Sequence, residues 1–449
     1  MANKIKLHKG LNISLEGRAA KQVTEIPPTG TLAIVPDDFY GFKPKVTVKE
    51  GDTVLAGDPL FVNKSQPELC VVSPVSGKVT LIERGERRKV LSVRVEADAE
   101  QKSKDFGIVP LGQMSAEDLK ALLLKAGLFA FIKQRPYDIT ANPNDKPKGI
   151  FVSTFSEMPL AADFSYVIEG REDDFQFGID ALAKWAPVYL GISTAQADSS
   201  LAEIKNATVT IFDGPNPAGN VGVQINHVSP INKGEIAWTL GAEEVIFIGH
   251  LLRTGQVDLK RTIAFAGSEV KDPKYLKVYI GTSMAAICDG KLKQEEHVRL
   301  INGNPLVGQM AARDSFLASH VTEVCAIPEG DDKHEVLGWI RPRLKDFSTS
   351  RSYFSWLCGK KTYNLDARIK GGERHIIMSG EYDRVFPMDI YAGYLVKAIL
   401  AGDIDRMEQL GIYEVAPEDF AVAEFVDSSK LELQRIVREG LDNLRKEMA

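Results

Sequence analysis

The residues best suited to chemistry lie in Phe129-Ala-Phe-Ile-Lys-Gln-Arg-Pro-Tyr137, where aromatic and cationic side chains alternate just before a proline-rich loop at 141–147. Two readings are open. The rings can pack internally while the cations lay their stems along apolar surface and keep their charges in water. Alternatively, the stretch can stack a flat ring ligand and set a positive charge beside it. On the second reading the contacts are Phe131, Arg135 and Tyr137. Metal and thiol chemistry find no such pattern. Cys70, Cys288, Cys325 and Cys358 are far apart and form no C-x-x-C, and the seven histidines show no H-E-x-x-H spacing.

Around that stretch the elements read in sequence. Residues 32–35, 45–48, 60–62, 71–72, 78–82 and 90–95 are short strands separated by turns such as Glu50-Gly-Asp52 and Ala56-Gly-Asp58, which predicts a small β barrel or sandwich. Val48-Lys-Glu-Gly-Asp-Thr-Val-Leu-Ala-Gly-Asp-Pro-Leu60 with Ser73-Pro-Val-Ser-Gly-Lys-Val79 resembles the biotinyl/lipoyl carrier fold. The nearest lysine to that family's modified one is Lys64, but its spacing to Pro74 differs and no Met-Lys-Met is present. A purely structural barrel is therefore preferred. The charged run 83–89 reads as a solvated hairpin tip.

Ser115-Ala-Glu-Asp118 is a capping box opening a helix that Gly127 stops. Beyond it, 149–153, 188–192, 209–212 and 245–248 read as strands and 174–185 as a helix, an alternation that predicts a Rossmann-like parallel α/β layer. The turn after its first strand, Ser153-Thr-Phe-Ser-Glu157, is not G-x-G-x-x-G, so a dinucleotide lacks its usual close backbone approach. The charge-free stretch 214–232, with Gly214-Pro-Asn-Pro-Ala-Gly219, reads as a rigid loop. Residues 387–401 read as a helix. Ser429-Lys-Leu-Glu432 reads as a capping box for a last one, whose Leu433, Ile436, Val437, Gly440 and Leu444 share a face.

Composition bounds the partners. Asp+Glu 61 against Lys+Arg 55 gives net charge -6, which disfavours a nucleic-acid backbone as partner. No run of about 18 apolar residues predicts a membrane span, and the first residues have no signal-peptide core, so the expected residence is the cytoplasm. Arg341-Pro-Arg-Leu-Lys345 and Gly359-Lys-Lys361 are cationic clusters, read as solvated loops, with anionic lipid headgroups as the alternative.

The order of these motifs resembles the A-type subunit of the Na+-translocating NADH:quinone reductases. The likeness rests on Lys9-Gly-Leu, the Ser73–Val79 segment, Arg135-Pro, Met158-Pro-Leu-Ala-Ala-Asp163, Gly214-Pro-Asn-Pro-Ala-Gly219, Ile248-Gly-His-Leu-Leu-Arg-Thr-Gly-Gln-Val-Asp258 and Ala264-Phe-Ala-Gly-Ser-Glu-Val-Lys271. Gly338-Trp, Gly371-Gly-Glu-Arg374, Pro387-Met-Asp-Ile390 and Leu400-Ala-Gly-Asp403 extend it. The resemblance implies four modules: a biotinyl/lipoyl-like β domain over 1–100, a Rossmann-like α/β domain over 101–257, a β-grasp (SLBB-like) domain over 258–340 and a mainly helical domain over 341–449. It also implies a peripheral subunit on the cytoplasmic side of the bacterial inner membrane, working with five other subunits. That complex passes electrons from NADH through flavins and an iron–sulfur centre to quinone while exporting Na+.

The related flavin-binding subunits of complex I and Rnf carry a Gly-Arg-Gly-Gly-type loop that this chain lacks. No cofactor is therefore expected on the chain itself, and its share is the quinone-reducing step, with Phe131, Arg135 and Tyr137 as quinone contacts. A redox-silent scaffold descended from a flavin-binding ancestor is the alternative. The Cys-Pro-Gly-Lys stretch of some members is replaced by Phe425-Val-Asp-Ser-Ser-Lys430.

Overall fold

The computed structural model describes residues 3–448 except 336, 338–339, 341–342, 345, 352, 359–360 and 378–379. Arg341, Lys345 and Lys360 of the cationic clusters, and Gly338-Trp, lie outside the described residues.

The short strands of the first hundred residues form two facing sheets. One holds Thr31–Ile34, Val90–Ala97, Gly77–Arg84 and Thr53–Val54; the other holds Pro44–Val46, Pro59–Asn63 and Gln66–Val72. Most of their valines point inward and share a core with the next domain. Lys64 is exposed at a hairpin tip, and the charged run 83–89 joins Gly77–Arg84 to Val90–Ala97 as the sequence predicts. The first residues, read with this barrel, pair elsewhere. Asn3–Lys6 runs parallel to Thr208–Asp213, and Ala20–Glu25 parallel to Lys274–Tyr279.

The central sheet has the order Asn3–Lys6, Thr208–Asp213, Val188–Ser193, Ile150–Ser153, Ala237–Gly241, Lys133–Arg135, Ile139–Thr140. The first five strands are mutually parallel, and Lys133–Arg135 is antiparallel to Ala237–Gly241. From Ile150–Ser153 the chain winds outward through two strands and then returns to the opposite side at Ala237–Gly241. The winding direction therefore reverses between these two neighbours. Residues 245–248, read as a strand, are instead part of the helix Ala242–Thr254, and the strand is the preceding Ala237–Gly241. The helix is buried almost all round, so a four-residue window of it looks like an interior strand. Gly255, at φ 72, ends it.

The stretch 214–232 is also not all loop. Val221–Val228 is a helix that buries Val223 and Ile225. Ser115 forms the expected capping box with Asp118. Ser429 does not form its expected one, because its hydroxyl is buried against the His375 carbonyl and the last helix, Leu433–Glu447, starts beyond it.

A six-stranded sheet follows, in the order Gln309–Ala311, Val298–Asn302, Glu323–Pro328, Lys260–Ala266, Lys274–Tyr279, Ala20–Glu25, with the short helix Met284–Cys288 on its core. The chain closes on helices Glu381–Val385, Ala392–Ala401, Ile404–Gln409, Ala421–Val426 and Leu433–Glu447, which share a second core with Leu7, Phe212 and Val223.

Two glycines set how closely helices Glu172–Leu182 and Ala242–Thr254 cross. Gly178 lies against the Val245 carbonyl and Gly249 against the Asp174 carbonyl, with no room for a Cβ at either position. Helix propensity alone favours Gly249→Ala by about 1 kcal/mol. The packing predicts the opposite sign, a loss of about 1–3 kcal/mol from overpacking, measurable as a lower urea midpoint of the full chain.

Candidate functional site

A cleft of ≈ 660 Å³ opens outside the carboxyl ends of Ile150–Ser153 and Ala237–Gly241, where the winding reverses. In open α/β sheets this crevice is where ligands bind. Four parts of the chain enclose it. Ser153, Thr154 and Phe155 lead out of one strand, and Gly241 to Glu244 lead out of the other into its helix. Val35 and Asp38 come from the barrel, and Asn302, Asn304 and Glu323 from the six-stranded sheet and the turn beside it. Glu418 comes from the C-terminal helices.

Beside it lies a charged cluster buried by the packing of these parts. Arg261 is fully buried and donates to Glu243 (3.0 Å), to Glu244 and to the Ser319 carbonyl (2.9 Å), with its guanidinium over the Phe247 ring. The Thr262 amide donates to Glu243 at 2.7 Å. Burial pushes Glu243 up to about 7 against the pull of Arg261. Burial also opposes the charge on Glu244, but Arg261 and His320 outweigh it and hold that carboxyl at about 2. Asp38 accepts from the Ser319 amide (2.7 Å) and hydroxyl (2.9 Å), and burial raises it to about 6. His320 stands between these groups, with Nδ1 3.7 Å from Glu244 and its ring edge-on to Phe39 and Phe131 at 5.2 and 5.3 Å.

The three residues singled out in the sequence part company here. Phe131 lines the cleft but is nearly buried, with Phe39 and Phe247 also edge-on to it. Arg135 also lines it, yet is 1% exposed and is held by Glu418 (3.0 Å), Asp419 (3.4 Å) and Asp138 (3.7 Å). Its charge ties the sheet edge to the C-terminal helices. Tyr137 turns away from the cleft and packs on the C-terminal helical core.

Glu243, Glu244, Arg261, Asp38, Lys133 and His320 were not singled out in the sequence. Reading 245–248 as a strand hid the first two, because the pair then fell in a turn. As a helix start, Ala242-Glu-Glu244 is a legible acidic first turn. His320 and Asp38 carry no local signal.

Two helices whose N-termini face the cleft are covered by the chain's own carboxylates. Asp419 lies so close over Gly222 at the start of Val221–Val228 that no Cβ fits, and Glu244 does the same over Gly241 at the start of Ala242–Thr254. These are the positions at which a phosphate would otherwise bind.

Three family models match successive parts of the chain: the NqrA N-terminal barrel-sandwich hybrid domain at residues 5–98, the NqrA second alpha/beta domain at 114–257 and the NQRA C-terminal domain at 262–313. Full-length relatives agree. The A-type subunit of the Na(+)-translocating NADH-quinone reductase of Yersinia pestis bv. Antiqua (strain Angola) is 32% identical over 448 residues, 99% of this chain and 100% of that one. The protein of the same name from Haemophilus influenzae (strain 86-028NP) is 32% identical with the same shares. That of Neisseria meningitidis serogroup B is 31% identical over 447 residues, again 99% and 100%.

Removing the shared cation strands two buried carboxylates. Arg261→Ala is expected to cost about 3–5 kcal/mol in denaturant unfolding at pH 7. The loss should shrink below pH 5. Glu244, held low in the native chain chiefly by Arg261, then loses its main counter-charge, and protonation relieves the repulsion with Glu243. An equal loss at pH 5 and pH 7 would contradict this.

Proposed function

The chain belongs to the NqrA family, the A-type subunits of Na(+)-translocating NADH-quinone reductases, and from that premise we propose that it serves such a complex as a peripheral, cytoplasmic-side component offering a quinone-binding cleft at the junction of its domains. The observation that carries this is the cleft itself. It sits at the reversal point of the sheet and combines an aromatic wall, Phe131 backed by Phe39, with the polar ring of His320. A flat, uncharged ring with two oxygens suits such a wall. A phosphate does not, since Asp419 and Glu244 already occupy the helix N-termini. That contrast supports assigning NADH, flavin and iron–sulfur chemistry to partner subunits. Among the described residues no helix is long and apolar enough to cross a membrane. A bare Na+ in hydrocarbon is prohibitively costly, so the ion path is assigned to the partners as well.

Phe131 remains a contact in this reading. Arg135 acts by positioning, since its guanidinium is committed to Glu418, Asp419 and Asp138. Tyr137 has no part. The scaffold reading draws on the same commitment of Arg135, and the two separate by direct binding. The full chain should take up one equivalent of a short-chain ubiquinone analogue in equilibrium dialysis. Val307→Trp, at an exposed position on the cleft wall, should weaken that uptake at least about tenfold by filling the space. No saturable uptake by the unaltered chain would leave the scaffold.

A further inference from the structure

His320 offers the cleft a hydrogen-bonding atom that the fold orients and leaves unused. Phe39 and Phe131 hold the imidazole edge-on from two sides, and Nδ1 faces Glu244. Glu244 is itself held by Arg261, which Ser319 and Glu243 fix in turn. Glu244 keeps its charge 3.7 Å from Nδ1, so we place the ring proton on Nδ1, which leaves Nε2 a lone pair. No protein hydrogen bond reaches Nε2 among the described residues. Burial, reinforced by Lys133 and Arg261 and opposed by Glu244, keeps the ring below the usual histidine value and hence neutral at pH 7. The other titratable groups around it are Asp138 beyond strand Lys133–Arg135, Glu243 on the same helix turn as Glu244, and Asp38 across Ser319.

We propose that Nε2 of His320 is the cleft's hydrogen-bond acceptor, so that the cleft selects the hydroquinone, whose hydroxyl donates, over the quinone, whose carbonyl oxygens only accept. This rests on the quinone reading above and adds which redox form the site prefers. The preference reverses with the proton. Once the imidazole is charged, both nitrogens donate, Nε2–H meets a carbonyl oxygen, and the quinone gains. The cleft therefore discriminates the two forms by the direction of one hydrogen bond, with no electron passing through the chain. A carbonyl oxygen facing a bare Nε2 leaves both without a donor, which is costly in a buried site.

The test is anaerobic equilibrium binding of a short-chain ubiquinone and its hydroquinone to the full chain between pH 5.5 and 8. The hydroquinone should bind at least about fivefold more tightly at pH 8, the factor one neutral hydrogen bond supplies, and the ratio should fall in step with protonation of the His320 ring as pH is lowered, followed by the histidine resonances. His320→Gln, whose amide both donates and accepts, should still bind both forms but with the ratio near one and the wild-type pH swing reduced. His297→Gln, a surface histidine, should behave as wild type. A variant that misfolds is bypassed by nitrogen NMR of histidine-labelled wild type. There the Nε2 resonance of His320 should be that of an unprotonated nitrogen and should shift with the hydroquinone alone. A wild-type ratio near one at pH 8, an unchanged swing in His320→Gln, or an Nε2 that is already protonated overturns the assignment while quinone binding stands. Failure of both forms to bind overturns the quinone reading and this one with it.

Discussion

A single guanidinium, Arg261, lies fully buried between two carboxylates, and the architecture around the cleft depends on it. It projects from strand Lys260–Ala266 of the six-stranded sheet, while Glu243 and Glu244 sit on the first turn of a helix in the α/β domain. Such a cluster is poor evidence of net stability, because desolvating three charges costs about what their attraction returns. Its consequence is geometric. The bonds of Arg261 to both carboxylates join the six-stranded sheet to the α/β sheet, and in that arrangement Ser319 meets Asp38 and His320 meets Phe39 and Phe131.

Arg135 repeats the device on the opposite wall. It projects from the antiparallel strand Lys133–Arg135 and is shared by Asp138, Glu418 and Asp419, so the C-terminal helices are fixed to the sheet by buried charge as well as by apolar packing. Two walls of the cleft are thus each located by a buried, ion-paired arginine. The carboxylates recruited for that purpose also cover the two helix N-termini where the α/β architecture would otherwise hold a phosphate. The groups that orient the domains are therefore also the groups that shape the cleft.

Most secondary structure was legible in the sequence because its cues are local. The Gly-Asp turns marked the barrel strands, and Ser115 with Asp118 marked a helix start. The failures share a cause. Residues 245–248 and 221–228 are helices buried on nearly every side, and burial erases the periodicity that distinguishes a helix from an interior strand or an apolar loop. Ser429 carried the right spacing for a cap but lies buried against the His375 carbonyl, a contact 54 positions away.

The sequence by itself determined the family, the modular order and the stretch containing Phe131 and Arg135, because each is written in contiguous motifs. Only the tertiary structure decided what those residues do. Phe131 became wall, Arg135 became a buried tie and Tyr137 left the site. His320, with no motif around it, gained its setting from Glu244, 76 positions earlier, and from Phe39 and Phe131. The physical reason is that charge state and hydrogen-bonding direction are properties of an environment. That environment here is assembled from four separate parts of the chain, whose approach no local spacing encodes.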